Sequence, residues 1–423
     1  MTRTRAETLV HSASQLVTLS GGTRRGATLG DLGLIEDGAV AVDGDKIAAV
    51  GPSSQVRARY RASREIDASG HVVLPGFVDP HTHLVWAGDR AAEFEMRLAG
   101  KTYLEILEAG GGILSTVRET RKASVESLAA AARPRLRRML AHGTTTAEAK
   151  TGYGLETSAE LRMLETIITL SGEGPVELSP TFLGAHAVPP EFDGRADEFV
   201  GLICREMLPA VREWWRARMQ QPLPFVDVFC EQGAFSLEQS RRILETAKSL
   251  GFPLKIHADE FAGLGGATLA ATLGATSADH LVHTRPEDIE ALGRSTTVAV
   301  ALPCTPFGLA EAAYTPAQAL LEAGALLAIA TDLNPGTAWC ESMQFAIALA
   351  CRHLRLTPAQ AIAAATINAA AAISRADRVG SLEPGKQADL LLLDAPDYRH
   401  LGYRFGTNLV SAVMKGGRWV SGL

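Results

Sequence analysis

The sequence predicts a (β/α)8 TIM-like barrel joined to a small β-sandwich domain formed by the N- and C-terminal segments. Three observations predict it. From residue 74 to residue 378, strand-like apolar runs alternate with helix-like stretches, the signature of βα units and a parallel sheet. On either side, in residues 1–73 and 379–423, this gives way to short strands and turns. The polar residues best suited to chemistry fall at the C-terminal ends of the predicted barrel strands, where such barrels keep their active sites.

Taken in order, the N-terminal part holds two apolar runs about an Asp-Gly-Asp turn at residues 38–51, a hairpin signal. The stretch VVLPGFVDPHTHLVWAGD, residues 72–89, is an apolar run broken by Pro-Gly that ends in a His-x-His pair. Side chains two apart on a strand share a face, so His81 and His83 can present two imidazoles to one ion. Eight barrel strands are expected, at residues 76–83, 144–150, 176–186, 225–234, 254–260, 277–281, 297–303 and 326–332. Helical stretches intervene; one covers 124–141, with Ser124 as N-cap and Gly143 past its end. Residues 388–394 and 412–420 return to strand character, the second around a Gly-Gly turn.

A chain of 423 residues with 46% hydrophobic content can bury a large core and exceeds the usual single-domain size unless the fold is a barrel. The formal charge of -6, with both signs mixed, argues against nucleic-acid or anionic-membrane partners. The N-terminus lacks a sustained apolar core and no apolar run reaches membrane-spanning length, so a cytoplasmic location is expected. The five cysteines are scattered and never form C-x-x-C, which suggests neither a disulfide framework nor a thiolate zinc site. The run Arg133-Pro-Arg-Leu-Arg-Arg138 reads as a solvated helix face, Trp214 and Trp215 as packing or a subunit contact, and Gly110 to Gly112 as a turn near the pocket without the Lys and Ser/Thr of a phosphate loop.

His81 and His83 end the first predicted strand, His186 the third, His257 and Glu260 the fifth, His280 the sixth and Asp332 the eighth. Three neutral nitrogens from His81, His83 and His257, with a carboxylate oxygen of Asp332, make a plausible Zn2+ or Fe2+ set whose shell a water completes. The bland alternative is a group of core histidines satisfied by hydrogen bonds.

The motifs HTHLVWAGDR, AEAKTGYGL, FLGAHAVPPEF, KIHADEF, SADHL and ATDLNPGT resemble the imidazolonepropionase family of the amidohydrolase superfamily, over nearly the whole chain. The resemblance implies hydrolysis of 4-imidazolone-5-propanoate to N-formimidoyl-L-glutamate in histidine degradation, a metal-activated water opening the lactam C–N bond. It implies one divalent metal per chain on His81, His83, His257 and Asp332, with Glu260 transferring the proton and His280 helping at the developing oxyanion. It also implies that Arg90, Tyr153, His186 and Glu260 meet the substrate, with Asn334, Gly336 and Thr337 after Asp332, Tyr103 lining the same pocket, and a homodimer. On the residues alone, Arg90 is better explained as a surface partner of Glu93, and the resemblance reverses that preference. Lys150 ends the second strand, whereas the metal-bridging carboxylated lysine of some superfamily members belongs to the fourth, so a single metal is assigned. Residues 302–310 and the Trp339-Cys340 pair look less typical of the family. Two other functions stay open: a cyclic amidine deaminase of the cytosine or guanine type, and a scaffold with a dead site.

Overall fold

The computed structural model describes residues 3–101, 105 and 111–422. Tyr103 and Gly110, singled out above, lie outside the described residues. Eight parallel strands run in sequence order: β1 (Phe77–Asp79), β2 (Thr144–Lys150), β3 (Glu177–Ala185), β4 (Phe225–Cys230), β5 (Lys255–Ala258), β6 (Ser277–His280), β7 (Val298–Ala301) and β8 (Leu326–Ile329). Each expected strand is present, most of them shorter than the apolar run suggested, because the chain leaves the ladder as it nears the C-terminal mouth. Thus β1 ends at Asp79, before Pro80, and His81 and His83 lie beyond it. Thr82 between them makes an isolated parallel bridge to Leu333. His83 N–H donates to Leu333 O at 2.8 Å and Asp332 N–H to His81 O at 3.1 Å. The barrel therefore closes between the first and last strands at the residues expected to hold metal.

Helices cover the outside of the barrel, so β2, β5, β6, β7 and β8 are buried along their whole length, as a parallel sheet requires. Helix Val125–Ala141 is one of them; Ser124 caps it by accepting the Ser127 N–H at 3.3 Å. Three of its arginines, Arg133, Arg137 and Arg138, keep to the solvated face read from the sequence, and one does not. Arg133 and Arg138 pair with Glu173 and Glu341, but Arg135 turns inward, 4% exposed, with its guanidinium 3.2 Å from the Trp86 ring centre and a hydrogen bond to Leu84 O. Helical periodicity sends one residue of such a run toward the core. Trp215 is a buried packing residue.

The chain ends build a second eight-stranded sheet. Strands Leu34–Asp43 and Lys46–Pro52 form the expected hairpin, next to Thr4–Val17, and Val72–Pro75 links this half to Leu390–Leu393, Val410–Lys415 and Arg418–Ser421 from the C-terminus. Gly416 and Gly417 turn the last hairpin with φ of 54° and 75°, where L side chains are strained. Separate apolar clusters occupy its two faces, one with Val10, Val40 and Val42 and one with Leu9, Ala39 and Ala41. Among the described residues no helix is long and apolar enough to cross a membrane.

Candidate metal centre and active site

The barrel interior below its C-terminal mouth is charged rather than apolar. Glu148 and Lys150 of β2, Asp227 of β4, Lys255 of β5 and Asp279 of β6 are all buried to 1% exposure or less. Lys150 Nζ lies 2.8 Å from Glu148 and 2.7 Å from Asp227, and Lys255 Nζ lies 3.4 Å from Glu148 and 3.6 Å from Asp279. Burial alone would lower the pKa of Lys150, but the carboxylates of Asp227, Glu148 and Asp279 outweigh it and hold the ammonium above its ordinary range. A lysine so engaged is a counter-ion, not a nucleophile.

Two of these acids face the metal candidates. Asp279 Oδ2 is 2.7 Å from His81 Nδ1, and Asp227 Oδ2 is 3.0 Å from His257 Nδ1. The hydrogen bond from His81 places its proton on Nδ1 and leaves the Nε2 lone pair free, whereas Asp227 stands near His257 Nδ1 without a hydrogen bond and favours the same tautomer by its charge. His83 Nε2 stands 3.4 Å from His257 Nε2, and Asp332 Oδ1 stands 3.5 Å from both His81 Nε2 and His83 Nε2. His81 Nε2 and Asp332 Oδ1 are buried without a hydrogen-bond partner among the described residues. Burial first, then neighbouring positive charge, holds His81 and His83 well below the ordinary histidine range, so both rings are neutral, the form in which imidazole can bind a metal. Four donors shared by one ion at about 2.1 Å in tetrahedral geometry stand roughly 3.4 Å apart. The donor set thus fits a metal ion, and a satisfied histidine core does not explain the orphaned atoms.

Around this centre lies a cavity of about 490 Å³, lined among others by Arg90, Tyr153, His186, Glu260, His280, Asn334, Gly336 and Thr337. Every candidate site residue within the described part is thus at the cavity or, for His81, directly beneath it. His186 stacks on His83 with ring centres 4.8 Å apart and is oriented by Gly152 O at 3.0 Å. Glu260 Oε2 is 3.6 Å from His280 Nε2. Burial first, then the charges of Asp332 and Glu231, raises Glu260 well above the usual carboxylate range. The backbone is left-handed at Asp259, His280 and Asp332, with φ of 57°, 79° and 53°, uncommon for residues other than glycine and concentrated here at three strand ends.

Arg90 makes the pair with Glu93 that the residues alone suggested, and it does so at the wall of the cavity. Its Nε and Nη2 each lie 2.8 Å from Glu93 Oε2, and it also lines the cavity. Asn334 organises its own loop: Oδ1 accepts the N–H groups of Gly336 and Thr337, each at 2.8 Å. A Cβ at Gly336 would sit 2.3 Å from Arg90 Nη1, so a side chain there would push the end of the guanidinium aside. Of the atypical stretches, residues 302–310 reach the centre through Thr305, whose hydroxyl donates to Asp332 Oδ2 at 2.6 Å.

Comparisons with known proteins bear on this geometry. The model of the amidohydrolase family matches residues 72–420, and that of the bacterial imidazolonepropionase-like composite domain matches residues 38–62. The imidazolonepropionase of Herpetosiphon aurantiacus is 54% identical over 417 residues, covering 98% of this chain and 97% of its own. That of Chloroflexus aggregans is 55% identical over 418 residues, covering 97% and 98%. The chain belongs to the imidazolonepropionase family. Its fold is also that of an adenosine deaminase from Xanthomonas campestris with bound zinc, at 22% identity and a TM-score of 0.71 with 100% of this chain and 94% of that one covered. A triazine hydrolase variant gives a TM-score of 0.72 at 18% identity, with 98% and 94% covered.

Reading this imidazolonepropionase-family sequence by strand ends misses Asp227 and Asp279, which lie inside strands, and the cavity-lining Phe229, Glu231 and Gln232. Glu231 carried a signal: it directly follows β4, one of three strands, with β2 and β7, to whose ends no site residue is assigned.

Proposed function

We propose that this chain hydrolyses 4-imidazolone-5-propanoate to N-formimidoyl-L-glutamate, with a single Zn2+ or Fe2+ ion held by His81, His83, His257 and Asp332. The observation that carries the reading is the convergence of three imidazole nitrogens and one carboxylate oxygen, 3.4–3.5 Å apart along the measured edges, below a cavity with a guanidinium in its wall. Such an ion supplies Lewis acidity, acidifying a water and polarising the lactam carbonyl. One ion is favoured over two because Glu148 and Asp279, which with His81 form a further cluster of donor atoms, lie against the Lys150 and Lys255 ammonium groups at 2.8–3.7 Å.

Glu260 accepts a proton from the attacking water and returns it to the ring nitrogen as the C–N bond breaks, so one water is consumed and no other group leaves. His280, beside Glu260, donates toward the oxyanion that develops on the lactam oxygen. The Arg90 guanidinium takes the propionate, with Glu93 holding it in place. Tyr153 and His186 bound the ring from the side of His83. Asn334 and Thr337 line the same cavity, and Gly336 leaves Arg90 its room. We further propose a cytoplasmic homodimer. The five free thiols suit a reducing compartment, and exposed Phe307, Trp339, Tyr403 and Phe405 offer apolar surface for self-association. Light scattering tests the dimer.

The deciding experiment is incubation with freshly generated imidazolone propionate, following loss of ring absorbance together with N-formimidoylglutamate and ammonia. Equal loss of ring and gain of N-formimidoylglutamate, without ammonia, is expected; ammonia release in step with turnover would turn the assignment to a deaminase.

A further inference from the structure

The residues after β5 that carry Glu260 are tied down by a carboxylate from the neighbouring strand. Glu231 follows β4 directly and is 2% exposed. Its Oε2 accepts the N–H groups of Phe261 at 2.9 Å and Ala262 at 3.3 Å, and its Oε1 accepts the Gln232 N–H at 2.7 Å. Three peptide donors thus satisfy both oxygens of this buried carboxylate. Two of them belong to the two residues that follow Glu260.

On the other side of Glu260, Asp259 is held in the left-handed region at φ 57°. Its carboxylate accepts the Leu264 N–H and the Thr284 hydroxyl, each at 3.1 Å. The backbone at Glu260 is therefore fixed from both directions, while its side chain is not. Among the described residues the Glu260 carboxylate accepts no hydrogen bond, and the His280 ring stands 3.6 Å away. Where that carboxylate stands over the cavity is decided by the backbone that carries it.

We propose that Glu231 is a positioning residue for Glu260, acting through the N–H groups of Phe261 and Ala262 to hold the base at the reacting bond. This rests on the role given to Glu260 above. A strained turn such as that at Asp259 persists only while its surroundings impose it, and misplacing a reacting group by about 1 Å can cost on the order of a hundredfold in rate. Gln at position 231 keeps the shape and one acceptor oxygen but turns an NH2 toward peptide donors. Leu removes both acceptors.

The test is steady-state kinetics on metal-loaded Glu231→Gln and Glu231→Leu, alone and in a Glu260→Gln background. With wild-type metal content, kcat is expected to fall about 10-fold in Glu231→Gln and about 100-fold in Glu231→Leu, with KM within about threefold. In the Glu260→Gln background Glu231→Leu should add less than about threefold, because no base is left to misplace. Amide exchange at Phe261 and Ala262 should quicken in Glu231→Gln, a measurement that stands even if Glu231→Leu fails to fold. The proposal is overturned by unchanged exchange at these amides, by kcat within about twofold of wild type in a folded Glu231→Leu, or by an equal loss in both backgrounds. It is also overturned if KM rises while kcat holds, which would make Glu231 a substrate contact. Wild-type protein that leaves the ring intact would sink the proposed function instead, and the exchange measurement would still judge the clamp.

Discussion

Replacing Arg90 by Ala is the sharpest test of substrate identity. The guanidinium spends Nε and Nη2 on Glu93 Oε2, both at 2.8 Å, which leaves Nη1 beside Gly336 and toward the cavity. Its side chain is 17% exposed, so a carboxylate meeting it is partly desolvated. At 4 Å and an effective dielectric of about 20, opposite charges attract by ~4 kcal/mol. Truncating one member of a desolvated, hydrogen-bonded charge pair costs about 2–5 kcal/mol. Glu93 already offsets part of the Arg90 charge, so the expected loss is roughly 2–4 kcal/mol, a factor of about 30 to 1000 in kcat/KM. Arg90→Lys should recover part of it, keeping the charge without the fork. Gly336→Ala should move in the same direction by displacing Nη1, with Arg90 and Glu93 both present. The assay is kcat/KM for imidazolone propionate with metal content measured on the same samples. Equal kcat/KM for Arg90→Ala and wild type would mean that the carboxylate is held elsewhere and would reopen the case for a neutral ring substrate.

Glu260→Gln keeps the size of the side chain and removes the proton acceptor; kcat should drop at least about a hundredfold with metal retained, and near-normal turnover would assign the base to another residue. Metal analysis should find about one divalent ion per chain and a strong chelator should abolish activity, whereas two ions per active chain would contradict the lysine-filled floor of the barrel. Asp279→Ala should weaken metal binding by roughly 10- to 100-fold in chelator competition, since His81 loses the acceptor 2.7 Å from Nδ1 that fixes its tautomer, and Asp279→Asn should lose less; an unchanged affinity in Asp279→Ala would deny Asp279 that part.

What the sequence alone determined about this protein is local. Apolar runs of strand length, the Asp-Gly-Asp and Gly-Gly turns and the Ser124 cap each act through neighbours a few residues away, so the eight strands and both terminal hairpins are legible without coordinates. His81, His83, His257, Glu260, His280 and Asp332 are legible because barrel strands deliver their ends to one mouth, which turns a linear pattern into a spatial one. Strand ends are less certain, since apolar character continues where the ladder has already stopped, as it does past Asp79. Only the tertiary structure decided what stands beneath and beside those residues. Asp279 reaches His81 across 198 positions of sequence, and Glu231 reaches Phe261 across 30. The first contact crosses the barrel interior between strands that are not neighbours and the second joins the ends of two adjacent strands, and an acid on a strand looks the same in sequence whether it meets solvent, a lysine, a peptide N–H or an imidazole. Arg135 is the same case from the other side: a charge in a basic run is read as solvated until the helix packs and places it over Trp86.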